Sequence, residues 1–237
     1  MNDFWKETIS AGYYDRILER GLTVGRGIQP NWHHSTFVYV KQFIKSEDKH
    51  LDYACGPGAF IGKYLYKNSI GVDISGKQID YSINKYGDKG QFLRINDFNV
   101  KDYKDYFEKI TIIGLFEFIT DDQIIELLNK LHYILALGGK IYITTPNYRS
   151  LMSIFEILVN RFTSVDYKNQ HINRFDKKRL MRLISQSKFD DVEVKKILNM
   201  GVFIGAISFN FSQKVQKFLY ILNQNKFGYL LLGIVKK

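Results

Sequence analysis

Between residues 49 and 147 short apolar runs alternate with stretches of helical spacing, and this alternation leaves the chain few folds to choose from. Lys49 to Tyr53 reads as a strand that enters a Gly-rich turn, after which AFIGKYLYK has the apolar spacing of a helix. SIGVDIS reads as a second strand and GKQIDYSINKYG as a second helix, ending at Gly87. QFLRIND is expected as the third strand, and KITIIGLFEF as a fourth, apolar and β-branched enough to be buried on both faces. Thr120 to Leu137 is expected as a helix. Asp121 and Asp122 stand near its start, where carboxylates favour the dipole, and Gly138 and Gly139 stand near its end. GGKIYITTP is the fifth strand, stopped by Pro146, which cannot donate to a ladder. Right-handed crossovers between such strands place helices on both faces of a parallel sheet. The expected class is therefore α/β, a doubly wound and mostly parallel sheet.

The flanks are less regular. Phe4 to Ser46 is helical and aromatic, with a break expected at GRGIQPNWHHS, where Gly25, Gly27 and Pro30 oppose any regular element. Beyond Pro146, Ser150 to Arg161 and Asp176 to Gln186 look helical, DDVEVKKIL looks like a sixth strand, Ile204 to Asn223 is mostly helical, and FGYLLLGIVKK is a last strand. One long helix between the last two strands implies an antiparallel edge pair, for seven strands in all. There are no internal repeats. The expected organisation is one domain over residues 1–237, with a cofactor-binding core at 47–147 and a substrate-side insertion with sheet completion at 148–237.

A chain of 237 residues with 45% hydrophobic content can bury one substantial core. Cys55 is the only cysteine, which rules out an intramolecular disulfide and fits a reducing compartment. MNDFWKETIS has no apolar h-region, so neither a signal nor a transit peptide is expected, and the expected location is the cytoplasm. No uninterrupted apolar run of about 18 residues occurs, which excludes an ordinary spanning helix but leaves peripheral membrane contact open. A formal charge of +10 favours anionic partners: nucleic acid, a phosphorylated sugar, a nucleotide-sugar or an anionic bilayer. The basic residues are spread without a dense run, as an ordinary lysine-rich surface would also be.

The chemistry concentrates in LDYACGPGAF, residues 51 to 60. Ala54, Gly56 and Gly58 fall in the turn between a strand and a helix, where small residues let a ligand approach the backbone and the helix N-terminus offers amides. Asp73 follows Gly56 by seventeen residues, near the offset of about 20 at which an acid reaches ribose hydroxyls. Loop and acid together imply an adenosine ligand. The nicotinamide fingerprint GxGxxG or GxGxxA fails once in each register, at Ala54 or at Ile61, and no Walker loop is present.

In these segments the chain resembles the class I S-adenosylmethionine-dependent methyltransferases, in their small-molecule and glycan-type branch. Their first motif, an acid followed by small residues and GxG, is similar to Asp52 to Gly58; GVDIS resembles the second motif and IND, residues 95 to 97, the third. IGLFEFI and LGGKIYITTPN are similar to the fourth and fifth strands, so the resemblance runs in order over residues 49 to 147. It implies a Rossmann-like fold, a helical lid formed by residues 1–46, and S-adenosylmethionine as cofactor with S-adenosylhomocysteine as product. Asp73 is implied to bind the ribose, and Asp97 and Phe98 to lie near the adenine. The cofactor-binding set is Asp52, Ala54, Cys55, Gly56, Pro57, Gly58, Asp73, Ile74, Gln78, Asp97, Phe98 and Gly114, joined by Tyr14 and Trp32 of the lid. Two departures stand out. Ala54 replaces a common glycine, and Phe118 takes the place of a frequent histidine.

Methyl transfer from a sulfonium is an in-line displacement, so the protein must align donor and acceptor, exclude water and sometimes remove a proton. His33, His34 and His171 are the candidate bases, each weighed against an ordinary packed histidine. His171, in NQHINRF, is similar to an HxxxF pattern of methyltransferases acting on bacterial glycan and lipid-like substrates. It is the first choice for catalysis, and His33 the second. Arg149, Arg161 and Arg174 can pair with a phosphate or carboxylate, or simply be solvated. The five histidines and one cysteine show no ligand spacing, so no metal is expected. The acceptor expected from TTPN and HINRF is a small molecule, a sugar or glycan precursor. A lipid-linked acceptor is the alternative, from LMSIFEILV and VFIGAISFNF, which core helices explain equally well. RNA rests on charge alone and is not expected, because an NPPY-like motif is missing where GLFEF stands. A cofactor-binding protein without transferase activity is the remaining class.

Overall fold

The structure, a computed structural model, describes residues 4–150, 170–222 and 228–237. The chain divides into two compact units, Asn2–Asn99 with Leu198–Lys226, and Val100–Ile197 with Phe227–Lys237.

In the first unit β1 (His50–Tyr53), β2 (Ser69–Asp73) and β3 (Gln91–Arg94) are parallel, with Asp52 opposite Gly71 and Asp73 opposite Arg94. The crossovers carry α3 (Ala59–Tyr64) and α4 (Gly76–Tyr86). Cys55, Ile61, Ile79, Tyr86 and Phe92 pack as one buried cluster beneath them, each large side chain contributing roughly 1.5–3 kcal/mol by leaving water. Gly71 is required by this packing: a Cβ there would meet Cys55 Sγ and Phe92 Cδ1, both at 2.9 Å.

Before β1 run α1 (Tyr13–Val24) and α2 (Ile28–Lys41). The break expected from Gly25 to Ser35 is corrected to three residues, because NWHHS is helical. Pro30 sits in the first turn of α2, where amides lack intrahelical acceptors and a fixed φ near −65° suits the helix. Buried Asp15 ties α1 to its neighbours. It accepts from the hydroxyls of Tyr81 at 2.8 Å and Tyr86 at 2.9 Å, and pairs with Lys85 at 2.9 Å. Met200–Ala206 forms 3-10 turns, and α7 (Phe209–Ile221) follows, capped by the Ser208 side chain accepting from Phe211 N.

In the second unit β4 (Phe107–Ile113) and β5 (Leu135–Pro146) are parallel. β7 (Leu230–Lys236) is antiparallel to β5 and to β6 (Asp191–Ile197). Two boundaries differ from expectation. β4 stops at Ile113, because Gly114 turns into the left-handed region at φ 68° and Phe116–Phe118 forms a 3-10 turn. Helix α5 (Asp121–Ile134) is held at its start by a capping box between Thr120 and Gln123. It ends before Leu135, which is already extended and opens β5, so Leu135 to Leu137 belong to the strand. The helix α6 (Lys177–Ile184) is capped by Asp176, whose side chain accepts from Arg179 N. The helix expected over residues 150–161 falls almost wholly outside the described residues.

The seven strands follow the sheet order β3-β2-β1-β4-β5-β7-β6, with β7 the antiparallel member and β6 at the edge. This is the doubly wound, mostly parallel α/β sheet expected, with its antiparallel edge pair. No described helix is long and apolar enough to cross a membrane.

Candidate functional site

The loop from β1 to α3 passes through three left-handed residues, Ala54 at φ 63°, Gly56 at 53° and Gly58 at 71°. The two glycines serve different ends. A Cβ on Gly58 would strike Phe92 Cε1 at 2.6 Å and Ser82 Oγ at 2.9 Å, so this glycine lets α3 pack closely. A Cβ on Gly56 would meet nothing within 4 Å, so the backbone there stays open to approach.

Asp73, at the tip of β2, is bound to this loop. Its Oδ2 accepts from Gly56 N at 2.9 Å and its Oδ1 from Ser75 N at 2.8 Å, with the Ile74 amide also donating. Burial pushes its carboxyl up, and the three amides oppose that by favouring the charged form. A carboxylate offers about four acceptor sites, so capacity remains for a hydroxyl. Ser75 adds a buried Oγ with no hydrogen-bond partner. An open backbone approach, an acid held in place by amides and an orphan hydroxyl fit a ribose-bearing ligand.

Around them, Asp52 and Pro57 are buried, and Ile74 is half-buried. Burial raises the Cys55 thiol well above its ordinary value, and the negative charges of Asp73 and Asp52 add to the effect. This thiol therefore stays protonated and is no nucleophile. After β3, Asp97 is exposed at the end of a 3-10 turn and Phe98 is buried. Gln78 is committed elsewhere: its Oε1 accepts from Gly12 N at 2.9 Å and its Nε2 donates to Ser10 O at 3.0 Å.

The N-terminal helices bring an aromatic group together in the same unit. Tyr14 meets Tyr13 edge-on at 5.1 Å and His33 at 5.7 Å, and His33 lies 6.2 Å from Phe37. Desolvation pushes His33 down to about 4, so its imidazole is neutral and a weak base near pH 7. His34 Nδ1 lies 2.8 Å from Tyr64 Oη and the ring stacks on Phe209 at 5.8 Å. Trp32 is half-buried on α2.

In the second unit a different cluster forms. His171 stacks on Phe118 at 5.1 Å, and its Nδ1 lies 3.2 Å from the Tyr148 hydroxyl. Arg174 covers the Tyr148 ring at 5.4 Å, while Arg149 is exposed and Arg161 lies outside the described residues. Gly114 stands exposed at the end of β4. Beside Phe118 sits a residue that sequence reasoning passed over. Glu117 is buried, accepts from Thr145 Oγ1 at 3.0 Å, and is pushed up to about 7 by desolvation. Its backbone carbonyl also accepts from Ile172 N at 2.8 Å and Asn173 N at 3.1 Å, anchoring the His171 segment. The signal for it was a lone acid inside the apolar run GLFEFI. Among the described residues no group of three or more His, Cys, Asp or Glu converges as a metal site would require.

Comparison with known proteins agrees with this fold. The pattern of the Methyltransferase domain family matches residues 33–194. A tRNA (guanine-N(7)-)-methyltransferase of Clostridium botulinum is 30% identical over 88 residues, covering 35% of this chain and 38% of that protein. The chain thus spans well under half the length of the curated relatives it matches. Among solved structures, an S-adenosylmethionine-dependent methyltransferase of Archaeoglobus fulgidus aligns at TM-score 0.55 and 19% identity, over 85% of this chain and 93% of that one. Phosphoethanolamine N-methyltransferase 2 of Haemonchus contortus, in complex with S-adenosyl-L-methionine, aligns at TM-score 0.59 and 15% identity, over 99% and 59%.

Proposed function

The chain belongs to the methyltransferase-domain family, and from that premise we propose that it uses S-adenosylmethionine to methylate a small molecule, a sugar or glycan precursor, in the cytoplasm. The observation that carries the cofactor side is the bond from Gly56 N to Asp73 Oδ2, 2.9 Å long, beneath an open backbone approach. When bound, the cofactor supplies a methyl group on a cationic sulfur, a leaving group that needs no acid. Asp73 and Ser75 would hold its ribose, Gly56 would let it lie close to the chain, and Asp97 with Phe98 would stand by its base. Asp52, Ala54, Cys55, Pro57, Gly58 and Ile74 complete the proposed set within this unit. Gln78 contributes by fixing the Ser10–Gly12 segment.

We assign the aromatic group of Tyr14, Trp32 and His33 to covering the cofactor and excluding water, since a neutral His33 is better suited to a wall than to proton removal. His171 is the proposed acceptor-side residue. Tyr148 fixes its ring on one side and Phe118 on the other, which is what an oriented imidazole requires to receive a proton or a hydroxyl hydrogen bond. Arg174, stacked on Tyr148, supplies a charge to an anionic acceptor.

The test is turnover with methyl-labelled cofactor on a panel of nucleotide-sugars and phosphorylated sugars, run beside transfer RNA and a lipid-linked sugar in vesicles. Label in the soluble sugars supports the proposal. Label confined to RNA, as the name of the Clostridium relatives would lead one to look for, overturns it. Cofactor binding with no label in any acceptor points to a binding protein instead.

A further inference from the structure

Helix α7 is inverted. A helix on a globular protein ordinarily turns its apolar stripe inward, yet α7 buries Ser212 and Gln216 along with Phe209. These polar groups are satisfied inside. Ser212 Oγ donates to Gly201 O at 2.8 Å and accepts from Asn31 Nδ2 at 2.9 Å, while Gln216 Nε2 donates to Ser35 Oγ at 3.2 Å and the Gln216 backbone carbonyl accepts from Asn199 Nδ2 at 2.9 Å. The outward face carries Phe211, 54% exposed, Phe218, 59%, Ile221, 75%, and Leu222, 52%. Phe211, Lys214, Phe218 and Ile221 recur at the spacing of a single helical face, with exposed Lys217 at its margin.

The strip continues beyond the helix. Ile207 precedes it at 76% exposure, and the bond from Phe209 N to Gly25 O sets exposed Val24 and Arg26 beside its start. The charge is of one sign. From Leu198 to Leu222 the sequence has no Asp or Glu and two Lys, Lys214 and Lys217. Exposed apolar residues aligned on one helical face mark an interaction surface, unlike scattered ones.

We propose that this face of α7 docks on an anionic lipid bilayer. Aromatic and aliphatic side chains would enter the acyl boundary, and Lys214 and Lys217 would extend their stems along the apolar strip to reach lipid phosphates. A second copy of the chain is the poorer occupant. A two-fold contact on this face would bring its lysines against one another with no carboxylate on the helix to offset them.

The test is flotation of the full chain with vesicles of phosphatidylcholine alone and of phosphatidylcholine and phosphatidylglycerol in equal parts. Binding to the anionic vesicles only, released by salt, is expected. The pair Lys214→Gln with Lys217→Gln should weaken it about thirty-fold, and the pair Phe211→Ser with Phe218→Ser at least about ten-fold. These side chains are exposed, so thermal melts should match the parent. Phe218→Trp gives a direct reading, since its emission should shift to the blue on adding anionic vesicles. Failure of the parent to float, binding by either pair as tight as the parent's, or a dimer in light scattering that the serine pair dissolves would each overturn the proposal.

Discussion

Gly12 donates its amide to Gln78 Oε1 at 2.9 Å, and the other end of the same carboxamide reaches Ser10 O at 3.0 Å. One side chain at the start of α4, five residues past Asp73, thereby fastens the segment that leads into α1. The bond is tightened by shape, because Gly12 lies at φ 69° with the Tyr81 ring where a Cβ would stand. Gln78→Ala leaves the buried amide of Gly12 without an acceptor, a loss of roughly 1–3 kcal/mol. Hydrogen exchange should show faster opening at residues 10–14, with little change in β4 or β5. Unaltered exchange there would mean that the Gln78 bonds do not hold this segment.

Ala54 occupies a left-handed conformation, φ 63°, that costs an L residue about 1–2 kcal/mol. Glycine removes that strain but gives back about 0.5–1 kcal/mol of chain entropy. Ala54→Gly should therefore be neutral to stabilising by about 1 kcal/mol, raising the melting temperature by roughly 2–4 °C. A lowered melting temperature would show that the methyl group packs usefully.

Asp73→Ala removes the acceptor of the Gly56 and Ser75 amides as well as the proposed ribose contact. Calorimetry should find affinity for S-adenosylhomocysteine reduced at least about ten-fold. Asp73→Asn, which keeps the size but turns one acceptor into a donor, should fall between the two. Full affinity in the alanine variant would remove the ribose assignment.

Much of this was legible in the chain beforehand, and the exceptions have physical causes. The loop of Asp52 to Gly58 and the acid at Asp73 could be read because a backbone open to a ligand needs small residues and a strand-tip acid. Pro30 misled, since a proline breaks a helix interior but suits its first turn. The end of β4 was placed late because LFEF continues the apolar pattern while Gly114 ends the strand. Helix α7 was obscured for the opposite reason. Its periodicity is real, but only the structure reveals that the polar stripe faces inward.

Three desolvated groups bear on the pH dependence, and they act in opposite senses. Glu117 has a folded value raised to about 7 from 4.5, so its contribution is fully present below about 4.5 and is lost as pH rises through 7. His33 and His50 are pushed down to about 4 and about 3 by desolvation. The unfolded chain takes up their protons from pH 6.5 downward, so stability falls as pH drops from 6.5 towards 3–4. Glu117→Gln isolates the first effect, and Thr145 keeps an oxygen to donate to. Urea titrations from pH 5 to 8 should show the variant gaining on the parent as pH rises, by on the order of 2–3 kcal/mol at pH 8. A constant difference across that range would show Glu117 charged in the fold.

His171 is the sharper test of the acceptor side because its neighbours make two explanations separable. If the ring only fills space between Phe118 and Tyr148, then His171→Ala should destabilise the segment and lower cofactor affinity and turnover together. If it meets the acceptor, turnover should drop by about 10²–10⁴-fold, the usual weight of a positioned acid or base, while the dissociation constant of the cofactor stays within about two-fold. Tyr148→Phe takes away only the hydroxyl 3.2 Å from Nδ1, so it should lower turnover by a smaller factor through loss of ring orientation. Single-turnover kinetics beside calorimetry on both variants measure the two quantities independently, and a parallel decline in them would make His171 a packing residue.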